Sequence, residues 1–110
     1  MGSAHVKDKT LPVKMLCTYV PKKGKEKELF ALVEKHWPTL SKLGLVTKDP
    51  AKLYKAYDIR KQQPYFVEIF SWKTADSSDI AHQTPEVMAV WEPMGEVMTD
   101  MTLSSLEAIA

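Results

Sequence analysis

The 110-residue chain has little of what the commonest catalytic centres are built from. Its single cysteine, Cys17, excludes an internal disulfide framework and suits a reducing cytoplasm. One thiol and three scattered histidines (His5, His36 and His82) cannot assemble a Cys/His zinc cage, so no metal is expected. The four glycines, Gly2, Gly24, Gly44 and Gly95, form neither a GxGxxG turn nor a phosphate-cradling loop, and GxSxG and HExxH are absent. No apolar run nears the roughly 18 to 20 residues that a membrane-crossing helix needs, so no membrane partner is expected. The start, MGSAHVKDKT, lacks the apolar core of a secretory signal. Residues 1–11 read as a flexible tail or tag remnant ahead of one domain at 12–110.

What is present is an ordinary globular balance, with 45% hydrophobic and 26% charged residues. The net charge of +1 hides an asymmetry. Residues 1–61 hold fourteen bases and six acids (+8), whereas residues 62–110 hold one base, Lys73, and eight acids (−7). The Lys22, Lys23, Lys25, Lys27 cluster has no interleaved aromatics, and an acidic half beside it would repel phosphate. No nucleic-acid partner is expected. The two halves read instead as complementary surfaces of neighbouring elements or of two subunits.

The chain opens with an apolar, β-forming run at Val13–Val20. Leu29, Phe30, Val33, Trp37 and Leu40 then recur at helical spacing, with Lys and Glu opposite, and Pro38 should kink or split this helix. Gly44 suits its left-handed C-terminal cap. Residues 52–61 and 65–72 read as a strand pair linked through Gln62, Gln63 and Pro64. A short helix at 75–82 precedes a second long one capped by Thr84 and Pro85. Its stripe runs Val87, Trp91, Met94, Met98, Met101, with a bend at Pro93. A weaker strand over 103–110 closes the chain. The order βαββαβ is the ferredoxin-like α+β pattern, a four-stranded antiparallel sheet with two helices on one face.

The third strand is apolar on both sides. Tyr65, Val67, Ile69 and Ser71 share one face, and Phe66, Glu68, Phe70 and Trp72 share the other. An antiparallel sheet with one wet face alternates more cleanly. The expectation is that the aromatic set lies on the helix-free face, where three rings would form an exposed patch unusual for a monomer. A second copy would cover it, giving a homodimer through the helix-free face with a cavity between or beside the sheets.

The element order, the VPKKGKEKEL approach to the first helix and FVEIFSWKTADSSDIAHQTPEVMAVW resemble the dimeric α/β-barrel superfamily, in particular its antibiotic-biosynthesis-monooxygenase-like (ABM) branch. The resemblance spans about residues 13–109 and rests on Trp72 ending a strand, His82 ten residues later, and the Thr84-Pro85-Glu86 helix start. It implies a dimeric α/β barrel and an activity of the cofactor-independent kind, monooxygenase-like, on a small planar aromatic or enolisable compound. The branch also includes haem-degrading enzymes and proteins of no known reaction. Haem degraders and some aromatic oxygenases of this family use a pocket asparagine as a donor to substrate, and this chain has no asparagine at all. Haem is therefore not expected, and no cofactor is assigned.

His82 reads as a general base or donor at the mouth of a cavity, or as a helix-end imidazole capping carbonyls. Glu68, set between Phe66 and Phe70, would be desolvated. It either takes a proton from a phenol or enol, or pairs with Lys14, Lys55, Arg60 or a tyrosine hydroxyl across the dimer. Trp72, Phe66 and Phe70 read as cavity wall or as packing, and Tyr57, with Tyr19, Tyr54 and Tyr65, as a source of hydroxyls for a ligand. His36, beside Trp37 and Pro38, reads as a helix-break packing feature, and Cys17 as buried and inert. The competing reading is a non-catalytic binding or structural module in which Phe66, Phe70, Trp72 and helix residues fill the cavity.

Overall fold

The computed structural model describes residues 8–110. Its elements are β1 (Val13–Pro21), α1 (Glu26–Lys42), β2 (Lys52–Asp58), β3 (Gln63–Trp72), α2 (Ser77–His82), α3 (Pro85–Val97) and β4 (Met98–Leu106). The four strands form one sheet in the order β2-β3-β1-β4, with every neighbouring pair antiparallel. This is the ferredoxin-like arrangement the order of elements implied. The expected tail, residues 1–11, lies largely outside the described residues; of its described part, the Lys9 carbonyl accepts a hydrogen bond from the Ala75 amide at 3.2 Å.

Helix α1 buries Leu29, Val33, His36 and Leu40, a stripe at helical spacing that adds a histidine to the expected set, with Trp37 half-buried against the core and Phe30 exposed. It runs through Pro38 without a break. Pro38 and Glu34 are both exposed, so water can serve the Glu34 carbonyl that the missing N–H leaves unpaired. The helix ends in a Schellman motif: Gly44, at φ +72°, donates to Ser41 O, and Leu45 donates to Leu40 O, each at 3.0 Å. Helix α3 starts at Pro85, and it too passes through its proline, Pro93. Thr84 precedes it in an extended conformation, but its hydroxyl donates back to Ile80 O rather than capping α3.

Boundaries differ from expectation at α3, at β4, which spans Met98–Leu106 rather than 103–110, and at the β2–β3 turn. The α3 helix stops at Val97, whose carbonyl is taken by the Lys22 amide at 2.8 Å, and Met98 turns directly into β4. Met98 and Met101 are therefore strand residues and not the end of a helical stripe. The β2–β3 turn occupies 59–62, pinned by Asp58 Oδ1 accepting from the Arg60 and Lys61 amides, with Gln62 at φ +52°. Pro64 sits inside β3, tolerated because the β1 pairing reaches only to Phe66.

The assignment of sheet faces is corrected. Phe66, Glu68, Phe70 and Trp72 point toward the helices, on the same side as Met15, Cys17 and Tyr19, and all are buried within the single chain. The helix-free face carries Leu16, Thr18, Val20, Tyr65, Val67, Ile69 and Ser71, all half-buried. A strand that is apolar on both sides separates two faces but does not say which one is roofed. Glu68 settles it, because α1 supplies the imidazole that satisfies its carboxylate, and the rings fill the deep layer beneath α1 and α3.

Candidate active site

Four side chains from four elements join in a buried chain of hydrogen bonds. Glu68 on β3 is wholly buried. Its Oε1 accepts from the Tyr19 hydroxyl of β1 at 2.6 Å and from His36 Nδ1 of α1 at 2.8 Å, and Oε2 lies 3.1 Å from the same nitrogen. The Trp91 indole N–H of α3 donates to His36 Nε2 at 2.8 Å. An indole can only donate, so Nε2 carries a lone pair and the imidazole proton sits on Nδ1, directed at Glu68. His36 is thus held as the neutral Nδ1–H tautomer. Among the described residues no lysine or arginine pairs with Glu68.

Burial and the neighbouring Glu68 charge, in that order, push the Cys17 thiol up to about 12 and raise the Tyr19 hydroxyl above its ordinary range. At neutral pH both stay protonated, so Cys17 is no nucleophile.

Beside this chain a cavity of about 240 Å³ opens between the helices and the β1/β4 side of the sheet. Cys17, Tyr19, His36 and Phe70 form its inner wall, and Trp91 with Met94 roofs it from α3. Met98, Met101 and Leu103 of the edge strand close its side. No lysine, arginine, aspartate or glutamate lines it, and its two imidazoles are His36 and His82. Met15, Trp72, Ser78, His82 and Leu103 also border a wider hollow of about 670 Å³ that runs past Asp79, Ser104 and Ser105, so these five mark the mouth.

At that mouth His82 is exposed, and its Nδ1 donates to Ser78 O at 2.8 Å. Its ring meets Trp91 edge-on, 4.7 Å between centroids. The proton on Nδ1 leaves Nε2 of the neutral ring as an acceptor with no partner among the described residues. The residue caps a helix carbonyl and lines the pocket, and its Nε2 has no partner among the described residues.

No protein-family model matches the chain, and no curated protein matches it in sequence. Solved structures do share its shape. SnoaB, a cofactor-independent oxygenase from Streptomyces nogalater, matches with a TM-score of 0.69 at 13% identity, over 90% of this chain and 94% of its own. An antibiotic biosynthesis monooxygenase matches at 0.68 and 17% identity, over 89% and 99%. A conserved protein of unknown function from Bacteroides thetaiotaomicron matches at 0.71 and 10% identity, over 90% and 99%. The chain has the ABM-like fold.

Within this ABM-like fold the expected site residues divide. His82, Trp72 and Phe70 line the pocket, with Phe70 and Trp72 in edge contact at 5.0 Å. Glu68 stands behind the wall, reached only through Tyr19 and His36, and its tyrosine partner belongs to the same chain rather than to a second copy. Phe66 lies away from the cavity, packed on Phe30 at 5.3 Å. Tyr57 is 58% exposed on β2, at the sheet edge opposite β4, and is not a pocket residue. The cavity lies inside one chain, between sheet and helices, and not between two sheets. His36, expected as a packing feature, is the link between Glu68 and Trp91 and lines the pocket. The signal was its place in the buried 29/33/36/40 stripe of α1, where a titratable group needs a partner.

Proposed function

We propose that this chain is a cofactor-independent, monooxygenase-like enzyme that acts on a small planar aromatic or enolisable compound held in the 240 Å³ pocket. The observation that carries the reading is an apolar aromatic and thioether cavity with an acceptor nitrogen, His82 Nε2, at its mouth. Dioxygen is sluggish toward a neutral phenol or enol but accepts an electron from its anion. His82 takes the hydroxyl proton and generates that anion at the edge of the apolar cavity. One oxygen atom then replaces two hydrogens of the substrate as a carbonyl, and the other leaves as water carrying those hydrogens. Electrons and atoms balance with substrate and dioxygen alone. Glu68, out of reach of the ligand, acts as a positioning residue that fixes His36 and, through it, the Trp91 ring. SnoaB, with the same fold, is a cofactor-independent oxygenase, which supports the reading.

A second reading rests on one observation: the inner polar groups, Tyr19, Glu68, His36 and the Trp91 N–H, are all spent on one another. A pocket so committed also suits a protein that binds a ligand without transforming it. Oxygen uptake with one- and two-ring phenols and enolisable ketones separates the two. The enzyme reading expects uptake above the uncatalysed rate and a fall of about 100-fold in His82→Ala. Ligand binding without uptake across the panel favours the binding module.

We also propose that two copies pair through the helix-free face in a reducing cytoplasm. Leu16, Val67, Ile69 and Tyr65 offer that face an apolar surface that no helix among the described residues covers. No helix among the described residues is long and apolar enough to cross a membrane.

A further inference from the structure

We infer that the roof of the pocket is a proton-operated latch: Trp91 stays closed over the cavity only while His36 is neutral, and a proton added to the His36 ring releases it. The latch regulates the cavity and rests on its reading as a ligand site for its purpose alone, because the bond that forms it needs neither ligand nor oxygen.

The direction of one hydrogen bond carries it. The Trp91 indole N–H donates to His36 Nε2 at 2.8 Å, while the proton on Nδ1 is directed at Glu68, 2.8 and 3.1 Å from its two oxygens. An indole nitrogen donates and cannot accept, so this bond exists only as long as Nε2 is bare. In the imidazolium both ring nitrogens carry hydrogens, and turning the ring over brings the other N–H to the same place. Two N–H groups then face each other at bonding distance in a buried site, and one of them has to leave. His36 keeps its bond to Glu68, which the added charge strengthens. Trp91 is the group that yields.

The groups facing the ring favour that proton. From β3 comes the Glu68 carboxylate, which no lysine or arginine pairs with among the described residues. From β1 come the Tyr19 hydroxyl, bound to Glu68, and the Cys17 thiol, both held protonated. From α3 and β4 come Trp91, Met94, Met101 and Leu103, none of them titratable, and from α2 comes His82 on the far side of the Trp91 ring. The cluster thus buries one negative charge with no cation beside it. A proton on His36 turns it into a hydrogen-bonded ion pair, in which a buried carboxylate is less costly than alone.

Release matters because of where Trp91 stands. It roofs the cavity from α3 and is half-buried, with the His36 ring beneath it at 6.0 Å between centroids and the His82 ring outside it at 4.7 Å. Its indole N–H has no other partner among the described residues. A half-buried ring on a helix turns outward by changing its own rotamer, with the backbone of α3 in place. The roof then lifts beside the mouth that Trp72, Ser78 and His82 border. Neutral solution closes the pocket and acid opens it.

The test follows the Trp91 indole N–H of the full, isotopically labelled chain by nuclear magnetic resonance between about pH 8 and about pH 5, the range in which imidazoles titrate. Trp91→Phe identifies its signal among those of the three tryptophans. Long-range proton–nitrogen spectra of the His36 ring report its protonation in the same samples. At the upper end His36 is expected as the Nδ1–H tautomer, with the indole N–H bonded. On acidification the His36 ring gains its second proton and the Trp91 signal moves to the free-indole position, at one shared midpoint. The indole N–H then exchanges with water about tenfold faster than in His36→Gln at the same pH, the share of one hydrogen bond. In His36→Gln the amide offers a donor to Glu68 and an acceptor to Trp91 with nothing to titrate, so the bond persists across the range. His82→Ala leaves the response in place. Where His36→Gln fails to fold, the shared midpoint in the wild type decides. The inference is overturned if Trp91 stays bonded once His36 is doubly protonated, or if His36 stays neutral while acid protonates Glu68. It is also overturned if His36→Gln releases Trp91 as the wild type does, if His82→Ala abolishes the response, or if release comes only with general unfolding. A latch that responds in a chain that binds no phenol or enol would stand while the proposed function fell. Oxygen uptake by a chain whose Trp91 ignores pH would do the reverse.

Discussion

Removing the Glu68 carboxylate is the sharpest way to probe the centre of this protein. In Glu68→Ala the Tyr19 hydroxyl and the His36 Nδ1–H, bonded at 2.6 and 2.8 Å, lose their common acceptor in a site closed to water. His36 cannot recover by moving its proton to Nε2, because that nitrogen faces the Trp91 N–H at 2.8 Å, donor against donor. Each orphaned buried donor costs about 1–3 kcal/mol, and the vacated side-chain volume adds to it. A total of about 3–5 kcal/mol is a large share of the stability of a domain of this size. Glu68→Gln keeps one oxygen for both donors but sets an amide N–H₂ against His36 Nδ1, so about 1–3 kcal/mol is expected. Urea denaturation followed by tryptophan fluorescence and by circular dichroism measures both. The reasoning fails if Glu68→Ala lies within about 1 kcal/mol of the wild type. It also fails if Tyr19→Phe and Glu68→Ala add independently, because two partners in one bond should couple by about 0.5–3 kcal/mol.

Three further outcomes follow from particular residues. The Cys17 thiol, raised by burial and by Glu68 to about 12 from 9.0, binds its proton more tightly in the folded chain than in the unfolded one. Stability is therefore full below pH 9 and is lost as pH rises toward 12, at about 1.4 kcal/mol per pH unit. Tyr19, also raised, adds to the loss. Denaturation midpoints across alkaline pH should show this slope flattened in Cys17→Ala, and native Cys17 should resist alkylation at neutral pH. Gly44→Ala meets no atom within 4 Å but forces a side chain into φ +72°, so a loss of about 1–2 kcal/mol in chemical denaturation is expected, from backbone conformation alone. Ile69→Asp puts a charge at the centre of the helix-free face. Sedimentation should report a 12.5 kDa particle for the variant where the wild type sediments at twice that mass; a wild type that is itself monomeric at micromolar concentration refutes the pairing.

How much was legible beforehand follows from the range of each interaction. The apolar, β-forming runs at 13–20 and 65–72, the period-3.6 stripe of α1, the Gly44 cap and the Pro85 start are written in neighbouring residues, and so the βαββαβ order could be read from the chain. His82, Trp72 and Phe70 could be placed in one pocket because they lie close in sequence along β3 and α2. Which face of the sheet the helices roof could not be read, because both faces of β3 are apolar and the choice rests on His36 reaching Glu68 across 32 residues. The same pairing placed Glu68 behind the pocket wall and His36 on it, while Tyr57 stands exposed at the far edge of the sheet. Local periodicity determines which residues form helices and strands. Only the folded chain brings distant polar groups within hydrogen-bonding reach, and the cost of burying Glu68 unpaired fixes how those elements stack.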